Sequence, residues 1–141
     1  MRELMFFIPG PPRGKGRPRA TVSHGRPTMY TDGKTAAYEN LVRIACHQAM
    51  RQTAQDAFVG AVTVSVACKY PINKSVSKRK LEAFTDGTER PTKKPDLDNV
   101  LKAVLDGING VAFADDAQVV SIVSDKYYGL EPGVQVTIKE A

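Results

Sequence analysis

Two aspartates separated by one residue open a strongly patterned stretch of this chain: Asp96, Leu97, Asp98 and Asn99, with Lys102 four residues beyond Asp98. Carboxylates are hard oxygen ligands, and Mg²⁺ characteristically takes one or two of them together with waters and phosphate oxygens. On a helix of 3.6 residues per turn, Asp98 and Lys102 share one face beside the apolar stripe. A lysine so placed can steady charge on a phosphate or a leaving oxygen. A second acidic pair, Asp115 and Asp116, follows Val111–Ala114 and precedes a strand-like run. Adjacent acids repel each other and are poor strand formers, a cost that a bound cation would offset. Each piece also has a purely structural explanation. Asp is a good N-cap, negative charge there suits the helix dipole, and Asp98 with Lys102 could be a plain salt bridge. The combination points to metal-assisted phosphoester chemistry.

Charge supplies the substrate class. Residues 1–94 hold 17 Lys and Arg against 7 Asp and Glu, whereas residues 95–141 hold 3 against 8. A basic surface around an acidic centre suits a polyanion. The acidic centre is flanked by Lys93 and Lys94 and, further upstream, by Lys78, Arg79 and Lys80. Arg13, Lys15, Arg17 and Arg19 alternate with Gly and Pro, which suggests a basic arm able to order on a DNA backbone. These nine residues are the candidate DNA contacts. With 141 residues, one domain over 1–141 is expected, carrying a basic, flexible loop at 13–27. No apolar run is long enough for a membrane span, and the apolar start is too short for a signal peptide, so a cytoplasmic protein is expected. Cys46 and Cys68 lack zinc-site spacing and read as reduced, buried thiols.

The elements that must position these groups follow from periodicity. Leu4–Ile8 reads as a strand stopped by Pro9–Pro12. Thr28–Thr31 is a short strand before a turn at Asp32-Gly33. Helical spacing of Tyr38, Leu41, Val42, Ala45 and Ala49 predicts a helix over 34–54. Phe58–Tyr70 alternates as a half-buried strand, with Val62, Val64, Val66, Cys68 and Tyr70 on one side. Ser75–Phe84 suits a short helix capped by Ser75 or Ser77, and 85–94 a loop. Leu97, Val100, Leu101, Val104, Leu105 and Ile108 form one stripe of a helix over 97–109, which Asn109-Gly110 ends. Gln118–Tyr128 and Val134–Lys139 read as two antiparallel strands joined across 129–133. The order predicts an α+β fold, helices packed on one face of a mixed sheet. Phe113 is expected to anchor the loop that aims Asp115 and Asp116. Asp106 is expected to be a surface charge or a partner of Lys102. His24 reads as loop and His47 as helix surface, while Tyr30 and Tyr38 read as core or dimer contacts.

Residues 94–120, with their Asp-x-Asp-Asn, Lys and Asp-Asp-x-Gln pattern, resemble the signature of the RusA family of Holliday-junction resolvases, and residues 8–19 are also similar to members of that family. The resemblance implies a RusA-like fold and a Mg²⁺-dependent endodeoxyribonuclease, with Mn²⁺ as a substitute metal. It implies that Asp96, Asp98 and Asp116 bind metal, that Asp115 assists, and that Lys102 is catalytic. It further implies a homodimer that cuts opposed strands of a four-way junction symmetrically in recombination and repair, in a phage or prophage setting. Two other functions use the same features. A non-catalytic DNA-binding phage accessory protein would treat the acids as caps, but acids beside DNA repel phosphate unless a cation intervenes. A phosphoesterase for nucleotides or RNA would use the same acids, although the chain has no Gly-rich phosphate loop of the P-loop kind.

Overall fold

The computed structural model describes residues 2–16, 19–30 and 32–141, with Arg19 described by its backbone alone. Strand β1 is Glu3–Pro9, followed by β2 (Arg19–Ser23), β3 (Arg26–Tyr30), helix α1 (Gly33–Gln52), β4 (Val62–Tyr70), α2 (Lys78–Thr85) and α3 (Leu97–Ile108). A single 3₁₀ turn at Asp116–Gln118 leads into β5 (Val119–Tyr128), and β6 is Gly133–Glu140. Four strands make a mixed sheet in the order β1-β6-β4-β5, in which β4 and β5 run parallel and the other pairs antiparallel. The α+β expectation holds.

Alternation builds the core. Register aligns Leu4, Ile138 and Val64 in one row, Phe6, Val136 and Val66 in the next, and Ile8, Val134 and Cys68 in a third. All nine are buried, because successive strand residues point to opposite faces and cross-strand partners to the same one. Tyr38, Val42, Cys46 and Ala49 of α1 and Val100, Ala103, Val104 and Ile108 of α3 belong to the same core. The two helices touch where α3 has no side chain. A Cβ on Gly107 would stand 2.6 Å from the Val42 side chain and 3.0 Å from the Glu39 carbonyl oxygen.

Two expectations change. The strands over 119–128 and 133–140 are not hydrogen-bonded neighbours, because β4 lies between them. The connection passes over the end of β4, with the Gly129 amide donating to the Tyr70 carbonyl at 3.0 Å. β4 buries five alternate residues and needs a neighbour on each side, whereas β5 leaves Val120, Ile122 and Val123 exposed and suits an edge. Second, where a basic loop is expected over 13–27, β2 and β3 form a separate two-stranded hairpin. His24 (φ 51°) and Gly25 (φ 74°) take the left-handed conformations that a tight hairpin turn requires. Ahead of the hairpin, Gly14, Lys15 and Gly16 are tied to the helices.

Several local expectations fall close to the mark. Ser77 caps α2, accepting from the Lys80 amide at 3.2 Å. Gly110 (φ 78°) follows α3. Cys46 and Cys68 are free and buried, His47 is exposed on α1 and His24 sits in the hairpin turn. Tyr38 is in the core, while Tyr30 is exposed on β3.

Candidate active site

Asp96 occupies the N-cap of α3, yet its side chain makes no capping hydrogen bond. The helix starts on the Asp96 backbone, whose carbonyl accepts from the amides of Asn99 and Val100 at 3.1 Å each. Its carboxylate is therefore left to solvent, beside the positive end of the helix dipole. Asp98 lies in the first turn and is exposed. Lys102 is exposed one turn further on. Among the described residues, neither Asp98 nor Lys102 makes an ion pair, so the plain salt bridge between them is not formed.

Three elements hold the segment leading into Asp96. From the end of β4, the buried Tyr70 hydroxyl donates to the Pro95 carbonyl. Burial, and secondarily the neighbouring Cys68 and Asp96, pushes the Tyr70 phenol up to about 12, so it stays a protonated donor. From β5, Lys126 Nζ donates to the Lys93 carbonyl at 2.8 Å and sits 5.1 Å from the centre of the Tyr70 ring. From the N-terminal segment, the Lys15 amide donates to the Asn99 carbonyl at 3.0 Å. Gly14 lies so close that a Cβ there would be 3.0 Å from Asn99 Cβ and 3.2 Å from Pro95 Cβ. The result is a cleft of about 410 Å³ lined by Gly14, Lys15, Lys94, Pro95, Asp96 and Asn99.

Asp115 and Asp116 are positioned separately. Phe113 is fully buried and bridges to Phe58 and Asn109, anchoring the loop as expected. Gln118 Oε1 accepts from the amides of Ala114 (3.0 Å) and Asp115 (3.2 Å). Its Nε2 donates to the carbonyls of Phe58 and Gly60, both at 3.0 Å. The Asp116 amide donates to Asn109 Oδ1 at 3.1 Å. That bond places Asp116 at the C-terminal end of α3, while Asp96 and Asp98 stand at its N-terminal end. Eleven residues of rise from Asp98 to Asn109 amount to ~16 Å. Accordingly, among the described residues no three His, Cys, Asp or Glu side chains gather closely enough within this chain to hold a metal ion.

The basic candidates divide. Arg13 is exposed, and Lys94 is exposed at the cleft beside Asp96. Lys93 is exposed and lies 5.6 Å from the centre of the Tyr128 ring. Lys78, Arg79 and Lys80 form the exposed first turn of α2, with Lys80 paired to Glu89 at 2.8 Å. Lys15 is engaged internally. Its ammonium hydrogen-bonds Asp106 of α3 and lies 3.5 Å from Glu39 of α1. The hydrogen bond to Asp106 raises the Lys15 pKa. Asp106 thus has Lys15, not Lys102, as its partner. Arg17 lies outside the described residues, and Arg19 begins β2.

Tyr70, Lys126, Gln118, Asn109 and Gly14 escape a reading by motif. Three of them carry a weak trace. Tyr70 ends an alternating strand, Gln118 completes the Asp-Asp-x-Gln pattern, and Asn109 stands at the helix end.

No helix among the described residues is long and apolar enough to cross a membrane. The family model for endodeoxyribonuclease RusA matches residues 9–139. The chain is also 36% identical over 139 residues to the uncharacterized protein YqaN of Bacillus subtilis (strain 168), covering 97% of this chain and 96% of that one. With the match running from the end of β1 through α3 and the acidic loop to β6, the chain belongs to the RusA family of endodeoxyribonucleases, nucleases of Holliday junctions.

Proposed function

We propose that this chain is a Mg²⁺-dependent, structure-specific endodeoxyribonuclease. It resolves four-way junctions by paired symmetric nicks, as a homodimer, in DNA recombination and repair of phage or prophage origin. The observation that carries this reading is the Asp96 carboxylate, free of any capping bond and exposed with Asp98 at a helix N-terminus beside Lys94, in a chain of this family.

The donor set fits the metal by type. Asp96 and Asp98 are two exposed oxygen donors, and a hard divalent ion commonly uses one or two carboxylates and completes its shell with water and phosphate oxygens. When bound, Mg²⁺ or Mn²⁺ supplies an activated water and neutralises charge on the phosphate. Asp116, assisted by Asp115, is the third acid. Since it stands about a helix length from Asp98, a second chain related by a two-fold axis is the economical way to complete each site, the partner subunit's Asp116 meeting Asp96 and Asp98. Lys102, one turn from Asp98, stabilises charge at the scissile phosphate or leaving oxygen. Arg13, Lys94 and Lys93 hold the flanking backbone. A two-fold dimer presents two equivalent sites to a junction of matching symmetry, and the cuts leave 5′-phosphate and 3′-hydroxyl ends.

The test is cleavage of a synthetic four-way junction. The wild type nicks two opposed strands with Mg²⁺ and none with chelator. Asp98→Asn loses at least about a hundredfold in rate while binding the junction as tightly as the wild type, because removing a negative charge does not weaken attraction to phosphate. A variant that cuts at the wild-type rate sinks the assignment.

A further inference from the structure

The hairpin of β2 and β3 takes no part in the core. Every described side chain from Ala20 to Tyr30 is exposed, on both faces of the ribbon. A two-stranded ribbon with neither face covered is marginal in water, so a surface that covers it would stabilise it. Its two faces differ sharply. Register pairs Ala20 with Met29 and Val22 with Pro27, which makes one face wholly apolar, with Val22 73% and Met29 62% exposed. Thr21 pairs with Thr28 and Ser23 with Arg26, which makes the other face hydrogen-bonding and cationic, with Tyr30 on the same side.

Its location says what it meets. On either side of the ribbon, Gly16 and Asp32 are fastened at one buried residue of α1. The Gly16 amide donates to Thr35 Oγ1 at 2.8 Å, and the Thr35 hydroxyl donates to Asp32 Oδ2 at 3.1 Å. The same segment reaches α3 through the Lys15 amide and packs Gly14 on Pro95 and Asn99. The ribbon thus begins within five residues of Gly14 and Lys15, which line the Asp96 cleft. From Gly10 to Thr31 the sequence has five Lys or Arg and no acid. Lys15 is spent on Asp106 and Glu39, but the remaining cations favour a polyanion over the ribbon.

We propose that this hairpin is the element that recognises the branch point of the DNA. This inference rests on the proposed junction nuclease. A linear duplex stacks every base pair on two neighbours, but an opened four-way junction exposes base-pair faces at its centre. Apolar side chains such as Met and Pro stabilise unstacked steps by covering them. The face of Ala20, Val22, Pro27 and Met29 covers the exposed base pair. Arg26 and the hydroxyls of Thr21, Ser23 and Thr28, on the opposite face, hold the phosphates of an adjacent strand. Selection for branched over linear DNA then lies in the apolar face, and general affinity in Arg26.

Binding without divalent metal separates the parts, using a fixed-core four-way junction and a linear duplex of the same arm sequence. With Val22→Asn and Met29→Asn combined, junction Kd rises about tenfold or more. Duplex Kd and the sedimentation mass of the protein stay as in the wild type. Arg26→Ala weakens both substrates alike and lowers the salt slope by about one. These side chains lie outside the core, so a circular dichroism spectrum and urea midpoint equal to the wild type confirm that the fold is kept. An unchanged junction Kd for the double variant overturns the proposal. So does a change in its sedimentation mass, which would assign the apolar face to a second copy of the chain. If the wild type binds the junction no better than the duplex, the junction reading fails as well, an outcome distinguishable from failure of the hairpin alone.

Discussion

A carboxylate that caps a helix spends its oxygens on helix amides; Asp96 sits at the cap position and spends none. The difference gives the neighbouring tyrosine its importance. Tyr70 reaches the Pro95 carbonyl from 25 residues away in sequence and thereby orients Asp96 from below. We predict that Tyr70→Phe lowers junction cleavage about tenfold without changing junction affinity, and costs about 1 kcal/mol of stability, as read from urea unfolding. Unchanged cleavage would remove Tyr70 from the positioning set. The motif acids are legible in the sequence because their types and spacing carry the chemistry. Their positioning partners are not, because Tyr70, Lys126 and Gln118 act across 25, 33 and about 60 residues. Charge alone also misassigns Lys15, since nothing local distinguishes a lysine facing solvent from one folded onto Asp106. The two thiols make a prediction about alkaline pH. Burial pushes Cys46 from 9.0 up to about 12 and Cys68 up to about 11. Between pH 9 and 11 the unfolded chain releases protons that the folded chain keeps, so stability is full below pH 9 and falls above it. The urea midpoint should decline across that window, and Cys46→Val with Cys68→Val should flatten the decline. A midpoint with the same slope in both proteins would contradict the assignment.

At the scale of elements, α3, which carries the proposed acids, meets α1 through one missing side chain. Gly107 lets α3 lie against Val42 and the Glu39 carbonyl of α1. A methyl group at that position must push the helices apart. Gly107→Ala should therefore destabilise the protein by about 1–3 kcal/mol in spite of alanine's better helix propensity. Val42→Ala should recover part of the loss, and equal or greater stability of Gly107→Ala alone would refute the close approach. The stripe of α3 and the alternation of β4 are legible in the sequence because each has a face buried against one core. β2 is not, since its alternation is only two apolar residues long, Ala20 and Val22, in a stretch otherwise basic and rich in Gly and Pro. Sheet order escapes as well. The link from β5 to β6 is short enough to suggest a hairpin, and only the demand of β4 for two neighbours places it between them.

For the whole molecule, the long axis of α3 governs the account. It holds Asp96 and Asp98 at one end and Asp116 at the other, farther apart than one metal site spans. Two chains with their α3 helices antiparallel about a two-fold axis would make two complete sites from four incomplete halves. The basic surface supplied by the first two-thirds of the chain would then frame both, which suits a substrate whose two cut strands are related by the same symmetry. The most direct measurement mixes two variants, each with one of the proposed acids neutralised. Asp98→Asn and Asp116→Asn, each expected to leave a four-way junction uncut with Mg²⁺, are combined under conditions that allow subunits to exchange. A mixed dimer that pairs the intact Asp98 of one chain with the intact Asp116 of the other has one whole site. The mixture should therefore regain nicking of one strand per junction. Either variant cutting alone at the wild-type rate, or an exchanged mixture that binds the junction and never nicks it, would contradict the account.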